Sequence, residues 1–259
     1  MATTTDRVDA LELEARVKEM YRDVAEHPDK QFHFETGREL AIRLGYQAEE
    51  VDLIPGEAVD SFAGVGYYFD LAALRPAETV VDLGSGSGMD SFVAARYVGR
   101  SGRIIGIDMT EAQLAKSRRL AHGASLDKVE FRQGHIEHLD LDGACADVVI
   151  SNGVINLSPQ KDVVFAEAAR VLRPGGRLAI ADIVTSVQLP AGITCDASLW
   201  AACIGGAMQR DDYREAMEDA GFSIEATREN DQYRFLSESA RNATLTYGVR
   251  SVSILARKQ

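Results

Sequence analysis

The feature that most constrains this 259-residue chain is the change of hydrophobic period after Pro76. From there, short runs rich in β-branched residues alternate with helical stretches, the pattern of βαβ units around a parallel sheet. Seven strands are predicted, at residues 79–83, 103–108, 129–133, 147–151, 177–183, 223–229 and 249–256. The sequence therefore predicts an α/β fold with a Rossmann-like, seven-stranded and mostly parallel sheet.

Helices are predicted between these strands. The sequence pattern does not fix how the last two strands pair. The predicted helices cover residues 90–98, 111–121, 161–172 and 197–220. The last of them has a break near Gly205-Gly206, because paired glycines weaken a helix. A partly helical segment joins the last two strands, and one arrangement that the pattern allows is an antiparallel hairpin at the sheet edge.

The N-terminal part of the chain predicts a helical cap. Apolar residues recur at three- and four-residue steps over residues 8–24, and the pattern stops at Pro28. A second helical pattern, residues 38–44, ends at Gly45, which suits a left-handed C-cap. Two glycines then interrupt an aromatic-rich stretch that predicts a loop leading into a short helix. The predicted division is an N-terminal helical cap and lid segment, 1–75, and a larger domain, 76–259, with an insertion at about 190–222.

Composition narrows the class of partner. The chain has 28 Lys and Arg against 40 Asp and Glu, a net charge of −12, which predicts no nucleic-acid partner because such affinity depends on neutralising phosphates. No basic and then apolar N-terminal region and no long apolar run occurs, which predicts neither secretion nor a membrane span. Three irregularly spaced cysteines suit reduced thiols and predict no metal site. We expect a cytoplasmic monomer or homodimer.

A glycine-rich turn after the first predicted strand is the most informative motif. Residues 82–90 read Asp-Leu-Gly-Ser-Gly-Ser-Gly-Met-Asp, with alternate glycines where a strand runs into a helix. Such a turn lets a ligand approach the backbone at the carboxyl end of the sheet. The turn alone does not separate a dinucleotide, and hence a nicotinamide oxidoreductase, from other nucleoside ligands.

Three residues favour S-adenosylmethionine over a dinucleotide. Met89 stands where a dinucleotide motif has its third glycine, and it is too bulky for tight contact between helix and strand. The carboxylate of Asp82 would repel a diphosphate but suits the ammonium group of a methionine moiety. Asp108, at the end of the second strand, is placed to accept hydrogen bonds from both ribose hydroxyls. Each feature alone has a structural alternative, a tight corner or a helix-capping acid. Together they predict S-adenosylmethionine as the cofactor.

Four stretches closely resemble the class I methyltransferases known as arsenite methyltransferases. They are residues 82–108, 134–139 (GHIEHL), 149–159 (VISNGVINLSP) and 171–177 (VLRPGGR), within a likeness over about residues 60–221. The resemblance implies methyl transfer from S-adenosylmethionine to a small molecule on a seven-stranded methyltransferase sheet. The cofactor-binding residues predicted from the motif and the resemblance are Tyr21, Asp82, Gly84, Ser85, Gly86, Gly88, Asp108, Met109, Ile136, Glu137 and Asn152.

The acceptor side departs from that family. Its members hold trivalent arsenic with cysteine thiolates, but Gly153 and Val65 stand here at two of the family's cysteine positions, and only Cys203 matches a family thiol. We therefore expect an organic metabolite as the methyl acceptor.

Two alternatives stay open: arsenite methylation with the reduced set Cys195 and Cys203, and cofactor binding without catalysis. The candidate acceptor-side residues are Cys203 and His33 in catalytic roles, and Cys195, Trp200, Tyr67 and Tyr68 as substrate contacts. Each also has a structural interpretation, as a small buried thiol, an ordinary polar side chain or part of the cap core.

Overall fold

One sheet organises the computed structural model, which describes residues 8–195, 200, 204–236 and 238–259. Within those residues the strands are β1 (Thr79–Leu83), β2 (Arg103–Asp108), β3 (Val129–Gln133), β4 (Ala146–Asn152), β5 (Leu172–Thr185), β6 (Met208–Gln209), β7 (Phe222–Glu229) and β8 (Arg250–Lys258). Their order across the sheet is β3-β2-β1-β4-β5-β8-β7, and β6 pairs with the end of β5. Strands β1 to β5 run parallel, whereas β8 is antiparallel to both of its neighbours.

All seven predicted strands are present, and the two last ones do pair antiparallel. Their position differs from a simple edge hairpin, because β8 lies inside the sheet between β5 and β7. The burial pattern gives the reason. Val252, Ile254 and Ala256 of β8 are buried, and so are the residues between them except Leu255, which suits an interior strand. Strand β7 instead alternates towards solvent and forms the edge. The two-residue strand β6 was not predicted.

Helices pack on both faces of the sheet. They are α1 (Ala10–Glu26), α2 (Arg38–Leu44), α3 (Ala48–Val51), α4 (Gly56–Asp60), α5 (Phe69–Ala72), α6 (Met89–Val98), α7 (Glu111–Gly123), α8 (Lys161–Val171), α9 (Ala191–Thr194), α10 (Arg210–Asp219) and α11 (Glu238–Tyr247). A 3₁₀ turn covers Ile155–Leu157. Of the helix predicted over 197–220, the described residues are helical at Trp200 and in α10, and the predicted break at Gly205-Gly206 lies in a turn.

Local chemistry fixes the ends of the N-terminal helices. The side chain of Asp9 caps α1 by accepting hydrogen bonds from the backbone N–H of Leu11 at 2.9 Å and of Glu12 at 3.1 Å. Helix α2 ends at Gly45, whose φ of 118° is the left-handed conformation that the sequence predicted.

Helix α1 is joined to the sheet domain through α7. Leu13 and Val17 of α1 belong to the same buried cluster as Phe92 of α6 and Leu114 of α7. In addition, the amide of Gln113 donates to a backbone carbonyl of α1. The N-terminal helices therefore share a core with this face of the sheet. In the described part of the chain, no helix combines the length and apolar character needed to cross a membrane.

Candidate active site

A cavity of about 340 Å³ lies at the carboxyl ends of β1, β2 and β4. Leu13, Val17 and Tyr21 of α1 contribute to its wall. Open α/β sheets bind their ligands in this position, and small-molecule sites occupy about 300–1,000 Å³. The cavity is therefore the candidate site.

The glycine-rich turn forms one wall of this cavity through its backbone. Gly84, Gly86 and Gly88 have φ values of 71°, 53° and 96°, which side chains rarely adopt. A Cβ on Gly84 would lie 2.3 Å from the side chain of Val154, so this turn also needs glycine for space. A Cβ on Gly88 would lie 2.7 Å from the ring of Phe131. Gly88 thus allows the turn to pack on β3 and does not itself line the cavity.

Asp108, the last residue of β2, holds this turn closed. Its carboxylate accepts hydrogen bonds from the backbone N–H of Gly86 at 2.9 Å and of Thr110 at 2.8 Å. Burial raises the pKa of Asp108, and these backbone bonds oppose that effect. Because the residue also lines the cavity, one carboxylate both shapes the turn and faces a ligand.

A pair of buried acids lies on the wall formed by β1 and α6. Asp82 is 2% exposed and accepts a hydrogen bond from Ser91 Oγ at 2.6 Å. Burial, followed by the charge of Asp90, raises the pKa of Asp82 to about 8. Asp90 accepts from the hydroxyls of Tyr46 at 2.6 Å and Tyr68 at 2.7 Å. Burial also raises the pKa of Asp90, and its hydroxyl and amide donors oppose this effect.

Asn152, at the end of β4, joins these acids to the cap. Its Nδ2 donates to Asp90 Oδ2 and to the carbonyl of Gly66, both at 3.0 Å, while its Oδ1 accepts from the backbone N–H of Val65 at 2.8 Å. A Cβ on Gly64 would lie 2.7 Å from Asn152 Nδ2, so glycine permits the close approach of this loop.

A buried lysine fixes the segment after β4. Lys161 is 5% exposed, and its Nζ donates to the carbonyls of Asn156 at 3.1 Å and Ser158 at 2.8 Å. The ring centroid of Trp200 lies 4.9 Å from Nζ, and burial lowers the pKa of Lys161 to about 8. This lysine therefore holds in place residues 157–160, which line the cavity.

The structure brings together most of the predicted cofactor residues. Those that line the cavity are Tyr21, Asp82, Gly84, Ser85, Gly86, Asp108, Met109, Ile136, Glu137 and Asn152. Glu137 also accepts a hydrogen bond from Ser158 Oγ. Their binding roles remain a prediction.

The predicted acceptor-side residues do not gather in the cavity. His33 packs edge-on against Phe34, with ring centroids 4.7 Å apart, and Tyr67 packs edge-on against Tyr46 at 5.0 Å. Neither lines the cavity.

The remaining candidates lie elsewhere or cannot be placed. Tyr68 is fully buried and reaches the site only through its bond to Asp90. Trp200 donates to the carbonyl of Thr194 at 2.7 Å, and Cys195 follows α9; neither is among the described residues that line the cavity. Cys203 lies outside the described residues.

The sequence interpretation missed Asp90 and its network. An acid in the first turn of α6, directly after the glycine-rich turn, was a local signal for it. Tyr46 had no such signal, because it reaches Asp90 from 44 residues away in the chain. No group of three or more His, Cys, Asp or Glu that could hold a metal ion occurs in the part of the chain that the structure describes.

Sequence comparisons place this architecture among known proteins. The family model of the methyltransferase domain matches residues 74–221. An arsenite methyltransferase of Halobacterium salinarum is 39% identical over 225 residues, covering 86% of this chain and 57% of that protein. Another, from Aquipseudomonas alcaligenes, is 42% identical over 158 residues, covering 58% and 46%. The chain spans about half the length of these curated relatives.

A structural comparison agrees with these matches. The crystal structure of an arsenic(III) S-adenosylmethionine methyltransferase from Chlamydomonas reinhardtii has a TM-score of 0.68 and 32% sequence identity, covering 81% of this chain and 71% of that one. The resemblance predicted from the sequence motifs is therefore confirmed. The chain belongs to the class I S-adenosylmethionine-dependent methyltransferases and is similar to the arsenite methyltransferases among them.

Proposed function

We propose that this protein binds S-adenosylmethionine in the cavity and transfers its methyl group to a small organic metabolite. The observation that carries the proposal is the convergence of Asp82, Asp90 and Asp108 on one cavity beside the glycine-rich turn. Membership of the methyltransferase family supports the cofactor, and the missing family thiols support an organic acceptor.

The residues of the cavity fit this cofactor. Ser85 is 8% exposed, and its hydroxyl has no hydrogen-bond partner among the described residues, so it is available to a ligand. A Cβ on Gly86 would have no atom nearer than 3.7 Å, so its backbone is open to close approach. Asp82 and Asp90 form no ion pair with any described residue and suit a cationic ligand.

The residues of this chain have distinct tasks in the proposed reaction. Asp108 would accept the ribose hydroxyls, and Asp82 would face the ammonium group. When bound, the cofactor supplies a methyl group already activated on a sulfonium. Asn152 and Asp90 would shape the wall next to the sulfur, where an in-line nucleophile must come within about 3–3.5 Å. Helix α1 would exclude water, which strengthens these electrostatic contacts.

The cap and β4 favour an organic acceptor over arsenite. Val65 is 2% exposed, and a Cβ on Gly153 would lie 3.0 Å from Val65 Cγ1. The two positions at which the family resemblance implies cysteines are thus in contact, and neither residue can supply a thiolate. The two positions therefore form a buried apolar contact and offer a soft metalloid no ligand.

Arsenite methylation is the second candidate, because the curated relatives carry that activity in their names. It would depend on Cys195 and Cys203, the two thiols that the sequence offers as arsenic ligands. We therefore predict that replacing both cysteines by serine abolishes arsenite turnover if this candidate is correct. Turnover of an organic acceptor would change only modestly in the same variant.

Production of S-adenosylhomocysteine from S-adenosylmethionine tests the proposal. The purified protein would be incubated with fractionated metabolite pools and, separately, with arsenite and a thiol reductant. Product formation with an organic fraction, lost in Asp108→Ala, would support the proposal. Product formation with arsenite alone would favour the second candidate, and cofactor binding without any product would favour a non-catalytic protein.

We also propose a cytoplasmic location and the absence of nucleic-acid partners, with a monomer or homodimer as the working form. The net charge of −12 supports the absence of nucleic acid, and three irregularly spaced cysteines support a reducing compartment.

A further inference from the structure

The loop formed by residues 64–67 crosses a row of side chains on one face of the sheet. The strand register pairs Asn152 of β4 with Ala181 of β5. It also pairs Ala181 with Ser253 of β8, and Ser253 with Arg228 of β7. Paired residues of neighbouring strands project to the same face of a sheet, so these side chains form a continuous row. The row begins at Asn152, which lines the cavity.

Strands β7 and β8 bind the backbone of the 64–67 loop along that row. Ser253 Oγ lies 2.9 Å from the carbonyl oxygen of Tyr67, and Arg228 donates to the same oxygen at 2.7 Å. Ser251, two residues before Ser253 and on the same face of β8, donates to the carbonyl of Val65 at 2.6 Å. Buried backbone carbonyls need donors, and the two strands supply them here.

Asn230, the residue after β7, joins the two serines into one cluster. Its Nδ2 donates to Ser251 Oγ at 2.9 Å, and its Oδ1 lies 3.0 Å from Ser253 Oγ. Asn230, Ser251 and Ser253 are 8%, 3% and 0% exposed. Because Ser251 accepts from Asn230, its own proton is directed to the loop. A Cβ on Gly66 would lie 2.2 Å from Asn230 Nδ2, so the loop backbone packs directly on this cluster.

The sequence of β8 separates this polar face from an apolar one. Val252 and Ile254, which alternate with the serines, belong to the buried cluster on the other face of the sheet. The cluster of Asn230, Ser251 and Ser253 is therefore a local polar patch under the 64–67 loop. We call these three residues the β8 clamp.

The clamped loop continues directly into the cavity wall. Residues 61–64 line the cavity and precede the clamped residues. Gly64 lies against Asn152, on the wall next to the proposed sulfur position. An in-line nucleophile must come within about 3–3.5 Å of the methyl carbon, and a displacement of about 1 Å can cost about 100-fold in rate. The position of this wall therefore matters for the transfer step.

We propose that Asn230, Ser251 and Ser253 are positioning residues for methyl transfer, which hold the 64–67 loop against Asn152 as a fixed wall at the acceptor end of the cavity. This inference rests on the proposed function. The three residues are not among the described lining residues, so they act through the loop. The proposed cofactor contacts of β1 and β2 lie on the opposite side of β4 in the sheet. Loss of the clamp should therefore displace the wall and spare the attachment of the nucleoside.

Two ligands that differ at the sulfur position test the inference without a known acceptor. S-adenosylhomocysteine has a thioether there, whereas sinefungin has a carbon that carries an amine in place of the transferred methyl group. Calorimetry gives the Kd of each ligand. In Ser251→Ala we expect sinefungin affinity to fall by about fivefold or more and S-adenosylhomocysteine affinity to change by less than about twofold. An equal loss for both ligands, no loss for sinefungin, or a larger loss for S-adenosylhomocysteine would overturn the inference.

A second clamp variant and a matched control separate positioning from general stability. Ser253→Ala should change the ratio of the two affinities in the same direction, and it serves if Ser251→Ala does not fold. Ser117→Ala removes another fully buried hydroxyl, which donates to the carbonyl of Leu114 within α7 and does not line the cavity. It should keep the wild-type ratio. A change of the ratio in Ser117→Ala as large as in the clamp variants would contradict the inference.

The wild-type protein separates this inference from the proposed function. If it binds neither S-adenosylhomocysteine nor sinefungin, the proposed function fails. If it binds both and the clamp variants keep the wild-type ratio of affinities, only the inference about the clamp fails.

Discussion

The two ends of the cavity are built in different ways. At the proposed cofactor end, residues 84–88 and the Asp108 carboxylate lie within 25 residues of sequence, and backbone N–H groups make the hydrogen bonds that shape the turn. At the proposed acceptor end, side chains from four separate segments converge: Tyr46, Tyr68, Asp90 and Asn152. The first design depends on local conformation, and the second depends on the whole fold being correct.

This difference separates two kinds of mutational effect. A change at the acceptor end leaves buried partners without hydrogen bonds, so it acts on folding stability first. A change at the cofactor end acts on ligand affinity first. The following measurements test that contrast, in order of decreasing expected effect.

The largest effect is expected for Asp90→Ala. The substitution leaves two buried tyrosine hydroxyls without an acceptor, at about 1–3 kcal/mol each, partly offset because a buried carboxylate is also removed. We expect a loss of about 2–4 kcal/mol in the free energy of unfolding, measured by urea denaturation. Asp127→Ala, an exposed acid, should change it by less than about 0.5 kcal/mol. A loss below about 1 kcal/mol for Asp90→Ala would show that the network is not structural.

Asp108→Ala should act mainly on affinity. The variant loses the proposed acceptor for the ribose hydroxyls and the hydrogen bond that closes the turn at Gly86. We expect calorimetry with S-adenosylhomocysteine to show a loss of about 100-fold, equivalent to about 2.7 kcal/mol. The same variant should lose less stability than Asp90→Ala. If the order of the two stability effects were reversed, the contrast between the two ends would be wrong.

The pH dependence of cofactor binding should be the next largest effect. The pKa of Asp82 is raised from an ordinary value of 3.8 to about 8, so the ligand-free protein holds its proton up to that pH. The stability that this group contributes is therefore present at low pH and declines as pH rises from about 4 to 8. A cationic cofactor favours the ionised form, so its binding releases a proton and its affinity increases with pH below 8.

We expect an increase in affinity of up to about tenfold per pH unit between pH 6 and 8. Calorimetry in buffers of different ionisation enthalpy measures the proton release directly. In Asp82→Asn the pH dependence should become nearly flat. Affinity that falls with pH in the wild-type protein would contradict the assigned role of Asp82.

The smallest effect is expected for the attachment of α1. Lys116→Met removes hydrogen bonds to the carbonyl of Ala25 and to Ser61 Oγ while keeping the apolar length of the side chain. We expect cofactor affinity to fall by about three- to tenfold, since one or two partly buried bonds contribute about 1 kcal/mol. Arg100→Met, an exposed substitution outside the cavity, is the control. Equal affinities in both variants would mean that α1 does not stabilise the bound ligand.

Most of the sheet could be predicted from the sequence because its signal is local. Each predicted strand is a short apolar or alternating segment of the chain, and all seven are found. The interior position of β8 depends on which strand is more apolar on both faces, and that requires knowing its neighbours. The turn at Gly205-Gly206 was anticipated from the glycines, but the onset of α10 at Arg210 was not.

The candidate site shows the same difference between residues with a local sequence signal and residues brought in by tertiary packing. Ten of the predicted cofactor residues line one cavity, since they follow strand ends that a parallel sheet brings together. Tyr67 and Tyr68 were predicted as substrate contacts, but neither lines the cavity: Tyr67 packs against Tyr46, and Tyr68 donates to Asp90. Their neighbours in the cap could not be foreseen, so Tyr46 was missed. Residues from the cap reach the site through tertiary packing alone, which leaves no periodic trace in the sequence.

A crystal structure of the protein with S-adenosylhomocysteine would show directly whether this cavity binds the cofactor. We expect the ribose hydroxyls against the Asp108 carboxylate, the methionine end beside Asp82, and the sulfur facing the wall of Asp90 and Asn152. A ligand bound elsewhere, or a ribose without contact to Asp108, would contradict it.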